Sequence, residues 1–290
     1  MVTVATAGRS AALEVRETTD RLLLRQFLER DRLFAAYAIC DLDEREFGKT
    51  RWGIALVDGE PVAVALDYSG PTPQPLFVMG RTDGIAAILR SVVRPRVAYC
   101  AMLPESLPAV GSLYRLEPGP PMVRMVVDKA TFRPYRGDVQ RLTPLDSGHL
   151  NRLYQVGFAS WLPAASIANG IYYGLRVGGK LVAAAGTHVI SPSARLGVVG
   201  NVLTHADHRG RGYATAVTSA VTEDLLRGCD HVVLNVRSDN PPALAAYRRL
   251  GYVEHVRFEE RLIHRLGPPW AGFVNPIRRI LPVRKETPRR

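Results

Sequence analysis

The sequence predicts an α/β protein in which one order of strands and helices is written twice along 290 residues. Three observations predict it. Residues 52–66 (WGIALVDGEPVAVAL) and 173–186 (YGLRVGGKLVAAAG) share a spelling: an apolar run, a two-residue turn, then a second apolar run. That is the local signature of a β-hairpin. Each hairpin is followed by a strand that runs into an Arg-x-x-Gly-x-Ala turn and a helix, at 81–86 and at 209–214. The offsets between matched positions drift slowly, about 121 for Gly53/Gly174, 128 for Arg81/Arg209 and 133 for Tyr114/Tyr247. Loop insertions in a duplicated chain produce such a drift.

The elements follow in order. Residues 1–11 read as a frayed tail. A strand at 13–16 leads into an amphipathic helix at 22–28, whose apolar residues recur at helical spacing. The first hairpin turns at Asp58-Gly59, the next strand covers 76–79, and residues 113–116 precede a strand at 122–127. Proline, glycine and charge interrupt the pattern at 131–137 (TFRPYRG), which marks a boundary. The second copy has a strand at 139–142, a helix at 150–156, a hairpin turning at Gly178-Gly179 and a strand at 198–204. A strand from Leu234 then runs to a turn at Asn240, followed by a helix over 241–250 and a strand at 253–263. Asn240 stands where an N-cap belongs, with prolines in the first turn and Gly251 at the far end. The expected domains are therefore 12–130 and 138–265, joined by 131–137, with a basic tail at 266–290.

Composition narrows the function classes. Hydrophobic residues at 47% and charged residues at 22% suit a globular chain with a real core. The three cysteines, Cys40, Cys100 and Cys229, are far apart and in no metal-ligand spacing, which argues against a disulfide framework and against a metal site. No apolar run approaches the ~20 residues that span a bilayer, and the N-terminus lacks a secretory core. The expectation is a cytoplasmic protein without a membrane. Of the net charge of +11, a large share lies in residues 267–290. A basic surface attracts nucleic acid, and equally an anionic coenzyme. No nucleic-acid reading module accompanies the charge, so binding through the tail is the weakest reading.

The strongest chemical signal is 201–217 (NVLTHADHRGRGYATAV). An apolar strand ends at Thr204, a short polar loop follows, and Arg209, Gly210, Arg211, Gly212, Tyr213 and Ala214 open a helix. Two glycines remove side chains where backbone must approach a phosphate. The N–H groups at a helix start then point at the anion, helped by the helix dipole. Thirty residues later Asn240, Tyr247, Gly251 and Tyr252 give Asn-x-x-Ala-x-x-x-Tyr-x-x-x-Gly-Tyr.

Together these residues resemble the GNAT superfamily of N-acetyltransferases. The resemblance covers 138–265 well and 12–130 in outline, and implies two tandem GNAT-type α/β domains, each a mixed β-sheet flanked by helices. Acetyl-CoA or another acyl-CoA is the implied co-substrate, a small-molecule or peptide amine the acceptor. By position, the turn from Arg209 to Ala214 is implied to hold the coenzyme pyrophosphate. Val202, Leu203 and Thr204 are implied to bind the pantetheine arm, with the Val202 N–H polarising the thioester carbonyl. Asn240 is implied to bind the coenzyme and Tyr247 to act as general acid. The strand carrying Val202 is implied to splay from its neighbour.

One position departs from the family. Many members carry a glutamate as base five residues before the Asn240 equivalent, where this chain has Asn235. His188, His205 and an ordered water remain as routes for the proton. In the first half, Thr82 and Asp83 stand where paired glycine would be needed, so that half reads as a worn copy that binds no coenzyme. A degenerate half before a catalytic one resembles the glycine N-acyltransferase-like branch. Trp161, in the aromatic stretch 158–163, falls where the family places its acceptor loop. A non-catalytic acyl-CoA-binding module is the alternative reading.

Overall fold

In the computed structural model, which describes residues 12–70, 73–155 and 162–267, thirteen strands form one mixed sheet with helices on both faces. The first half contributes β1 (Leu13–Glu17), α1 (Arg21–Leu28), α2 (Ala36–Cys40), α3 (Glu44–Phe47), β2 (Thr50–Val57), β3 (Glu60–Tyr68), β4 (Gln74–Gly80), α4 (Thr82–Ser91), β5 (Val97–Met102), α5 (Leu107–Gly111), β6 (Tyr114–Leu116) and β7 (Met122–Val127). The second contributes β8 (Gln140–Arg141), α6 (Ser147–Tyr154), α7 (Ala164–Asn169), β9 (Tyr172–Val177), β10 (Lys180–Ser191), β11 (Leu196–Thr204), α8 (Tyr213–Leu225), β12 (His231–Arg237), α9 (Pro241–Arg249) and β13 (Val253–Arg265). The tail 1–11, residues 268–290 of the basic tail and Trp161 lie outside the described residues.

The duplication is visible in the pairing. β1 to β4 are successive antiparallel neighbours and β4 pairs β5 parallel. β8 to β11 repeat this, and β11 pairs β12 parallel. Both hairpin turns have two consecutive residues at positive φ, Asp58 (51°) with Gly59 (83°) and Gly178 (55°) with Gly179 (76°). That backbone matches the right-handed twist of the strands it joins.

The halves also exchange strands. The sheet order is β1-β2-β3-β4-β5-β13-β7-β12-β11-β10-β9-β8. β7 of the first half lies beside β12 of the second, and β13 of the second lies beside β5 of the first. β7 and β13 pair with each other at the centre. Pairing therefore crosses the 131–137 segment in both directions, and each half takes its sixth strand from the other. One match drawn from the sequence does not hold. Tyr114 opens the short strand β6, which pairs with β13, whereas Tyr247 lies within α9. Both segments are Tyr-Arg-rich and precede a strand, but the local environment makes one extended and the other helical.

Four apolar clusters hold the layers. One face carries α4 and α5 over the first half and α8 and α9 over the second. The other face carries α6 and α7 at the β8 end, while α1 and α2 cover the centre. The cluster under α1 and α2 joins Leu24, Phe34 and Ile39 of the first half to Leu196, Val198, Val233 and Phe258 of the second. Helices of the first half thus roof strands of the second. No helix among the described residues is long and apolar enough to cross a membrane.

Candidate active site

β11 and β12 run parallel and paired from Leu196/His231 to Val199/Leu234, and their pairing stops there. Both strands continue, β11 held by β10 and β12 held by β7. A fork opens between them. Beyond Gly200 the β10–β11 register jumps from Gly186↔Gly200 to Ala184↔Leu203, leaving Asn201 and Val202 as a bulge, with Asn201 at φ 52°. A bulge bends its strand and breaks the ladder. Two tyrosines fix it: the Tyr154 hydroxyl donates to the Asn201 carbonyl at 2.6 Å, and Asn201 Nδ2 donates to the Tyr172 hydroxyl at 3.2 Å. Half-buried Val202, Leu203 and Thr204 therefore face a slot with no strand opposite them. Thr204 Oγ1 is buried without a hydrogen-bond partner among the described residues, a polar atom that a bound group would satisfy.

The fork leads into the glycine turn. Arg209 is extended, with Nε donating to the Thr204 carbonyl at 3.3 Å. Gly210 (φ 75°) and Gly212 (φ 76°) both adopt the left-handed conformation that side chains disfavour. Gly212 is the N-cap of α8 and offers no side-chain acceptor, and the first turn of that 13-residue helix holds no acid. Its leading N–H groups are left to bind an anion. The Tyr135 hydroxyl stands by, 2.9 Å from where a Cβ on Gly212 would lie. An anion fits this turn.

In the first half the parallel pairing also stops early, at Phe77/Ala101 with β4 running on to Gly80, but the bulge and the open turn are missing. β4 pairs β3 without a bulge. Helix α4 begins directly after Arg81, Gly84 is helical, and the Asp83 carboxylate already accepts from Gly84 N–H at 2.8 Å while pairing with Arg81 at 2.6 Å. The helix start is filled by the protein's own carboxylate.

Asn240 caps α9, its Oδ1 accepting from the Ala243 N–H at 3.3 Å. Tyr247, 7% exposed, belongs to the same apolar cluster as Val199, Val202 and Leu234, beneath the fork. Its ring lies 6.1 Å from that of Tyr252, and its hydroxyl makes no hydrogen bond among the described residues. Burial pushes its pKa up to about 12, above the ordinary phenol value near 10.

On the opposite face the fork opens into a cleft that the sequence does not announce. Asn235 is the first residue of β12 past the last β11 pair, and its Oδ1 accepts from Arg124 Nε at 2.6 Å. Arg124, on β7, is 2% exposed, and its Nη1 donates to the carbonyls of Leu33 and Phe34 at 2.9 Å each. Its guanidinium lies 5.1 Å from the Tyr37 ring centroid and 5.2 Å from that of Phe258. Tyr37, from α2, is 5.9 Å from the ring of His188, which lies across Gly200. His188 and Glu260 keep contact with solvent yet are hemmed in by protein, which lowers the imidazole pKa and raises that of the carboxyl. That combination marks side chains lining a cleft. His205 is elsewhere, beside the glycine turn, where its Nδ1 faces the Asp207 N–H at 3.4 Å. Among the described residues no group of three or more His, Cys, Asp or Glu is placed to hold a metal ion.

Residues 141–252 match the family model of the acetyltransferase (GNAT) family. Mycothiol acetyltransferase of Corynebacterium jeikeium (strain K411) is 42% identical over 59 residues, which are 20% of this chain and 17% of that protein. The match thus spans about a sixth of that relative's length. Among solved structures, a GCN5-related N-acetyltransferase from Sphaerobacter thermophilus is similar at a TM-score of 0.61 and 17% identity, covering 88% of this chain and 96% of that one. A tandem GNAT protein from the clavulanic acid biosynthesis pathway is similar at a TM-score of 0.52 and 15% identity, covering 89% and 99%. These two likenesses are of fold.

Proposed function

We propose that this chain, whose residues 141–252 match the acetyltransferase (GNAT) family model, is an acyl-CoA-dependent N-acyltransferase, with acetyl-CoA as donor and an amine as acceptor. The observation that carries the reading is one continuous feature: the β11–β12 fork ends on a turn with two left-handed glycines and an uncapped helix. A fork alone is a sheet irregularity and such a turn alone is an anion site. Joined, they fit a molecule with an extended arm and a pyrophosphate.

A bound thioester supplies an activated acyl group; the protein supplies position, charge and proton. In this reading Gly210, Arg211, Gly212, Tyr213 and Ala214 hold the pyrophosphate through backbone N–H groups, with Arg209 and Arg211 adding charge. Val202, Leu203 and Thr204 bind the arm as a neighbouring strand would, and Asn240 contacts the coenzyme. The Val202 N–H, in the bulge that interrupts the β10–β11 register, stabilises charge that builds on the carbonyl oxygen, a contribution of about 2.7–4 kcal/mol. Tyr247 stays protonated at neutral pH and donates to the leaving sulfur. The acceptor enters from the cleft under α2. His188, kept neutral by its surroundings and lying over Gly200, is the proton acceptor proposed for the amine.

A module that binds acyl-CoA without turnover is the competing reading, favoured by Asn235, whose amide oxygen is already tied to Arg124. Release of free coenzyme A thiol from acetyl-CoA, followed across a panel of amines, separates the two. Amine-dependent release with N-acylated product is expected. Tight coenzyme binding with no release above the amine-free rate would establish the binding module instead.

A further inference from the structure

We infer that the cleft selects an acceptor amine that carries a carboxylate, and that Arg124 is the residue that reads it. The inference rests on the acyl-transfer reading of the same site and names its acceptor class.

Arg124 is unusual in how its five N–H groups are distributed. Nε is spent on Asn235 and Nη1 on two backbone carbonyls of the α1–α2 connection. Nη2 has no hydrogen-bond partner among the described residues, although the residue is only 2% exposed. The three spent groups fix the guanidinium plane rigidly, while the rings of Tyr37 and Phe258 hold it on its apolar sides. Among the described residues no carboxylate is in ion-pair contact with it. A buried guanidinium is costly unless an anion answers it, so a polar edge left open toward a cleft is a binding edge.

The other groups that face Arg124 define the ligand further. Asp31, from the α1–α2 connection, is bonded to His255 at 2.8 Å and so is already engaged. Glu260, on β13, feels the Arg124 charge but makes no ion pair or hydrogen bond among the described residues. Tyr37, on α2, likewise has a hydroxyl without a hydrogen bond among them. Cys40 lies farther along α2 and is buried as a neutral thiol. The cleft thus offers a fixed cation edge, a hydroxyl and, on its flank, a carboxylate. A monoanionic carboxylate beside a cationic or neutral amine suits that set. A dianionic phosphate would face both Asp31 and Glu260. Position agrees as well: Asn235, the partner of Arg124, is the first residue past the fork, so the carboxylate sits close to where the amine must meet the thioester.

The test uses the full-length protein and needs no turnover. N-acetyl-amino acids with small, aliphatic, polar and aromatic side chains are titrated against the protein with coenzyme A present, beside the matching N-acetyl-amino acid amides. The two sets differ only in the charged group. At least one acid is expected to bind about 10–100-fold more tightly than its amide, the size of a charge-assisted hydrogen bond in a buried site. Arg124→Lys keeps the charge and loses the fork-shaped edge, and is expected to remove that preference while coenzyme A still binds. Should Arg124→Lys fail to fold, the acid-against-amide comparison on the wild-type protein decides alone. Equal affinity for acids and amides throughout, or no binding of either set, overturns the inference. Absence of coenzyme A binding with the acid preference intact would sink the transferase reading and leave the role of Arg124 standing.

Discussion

Gly212→Asp is expected to abolish acetyl-CoA binding in a protein that still folds. Gly212 is the left-handed N-cap of α8, and its position is set by the backbone (φ 76°), so an aspartate there carries its carboxylate at the mouth of the anion site. Two like charges 4 Å apart repel by about 4 kcal/mol at an effective dielectric of 20, which is roughly a thousandfold in affinity. Asp83 in the first half is the natural precedent, an acid that fills the start of α4. Gly212→Ala is the graded control. It adds only backbone strain and a contact of 2.9 Å with the Tyr135 hydroxyl, so it should weaken binding by much less. Calorimetric titration of both variants checks this. Undiminished affinity in a folded Gly212→Asp protein would remove the turn from the coenzyme site.

Tyr247→Phe is expected to lower kcat by about 10²–10⁴-fold, the range for lost acid–base assistance. The substitution keeps the ring that packs on Tyr252 and among Val202, Val236 and Leu244, and deletes only the hydroxyl. That hydroxyl makes no hydrogen bond among the described residues, so its removal leaves no partner stranded and should cost little stability. Coenzyme affinity should be nearly unchanged, because the ring that packs beneath the fork is kept. With its pKa pushed up to about 12 the phenol remains protonated at neutral pH, as a donor must. A core tyrosine without a chemical role would leave the rate of the folded variant where it was. Single-turnover kinetics with saturating acetyl-CoA distinguish the two.

How far the sequence discloses these features depends on whether they are local. The hairpins, the glycine turn and the cap of α9 are each set by a few neighbouring residues with special φ values or side-chain acceptors, and they stand where their spelling puts them. The strand exchange is not local. Nothing in the residues of β7 (MVRMVV) or of the start of β13 says which half they pair with. Arg124 escapes for the same reason. In the sequence it is a lone arginine in an apolar strand, and its partners lie 111 residues away at Asn235 and about 90 away at Leu33 and Phe34. The helix α2 is five residues of small and apolar type with no clear period, yet it supplies Tyr37 to the cleft. Asn235, met first as a missing base, is the residue that holds Arg124 in place.

The exchange also changes what the first half is for. Its turn is closed by Asp83, but its helices roof the fork of the second half and its strand β7 carries Arg124. In the proposed reading, a copy without a coenzyme turn keeps a place in building the acceptor cleft.

The central claim is that one half binds acyl-CoA and the other shapes the acceptor side. Titration of the intact chain with acetyl-CoA, read by calorimetry, tests it most directly. One site per chain is the predicted result. Two equivalent sites would contradict the closed state of the Asp83 turn, and no site at all would contradict the assignment of the fork and the Gly210–Gly212 turn.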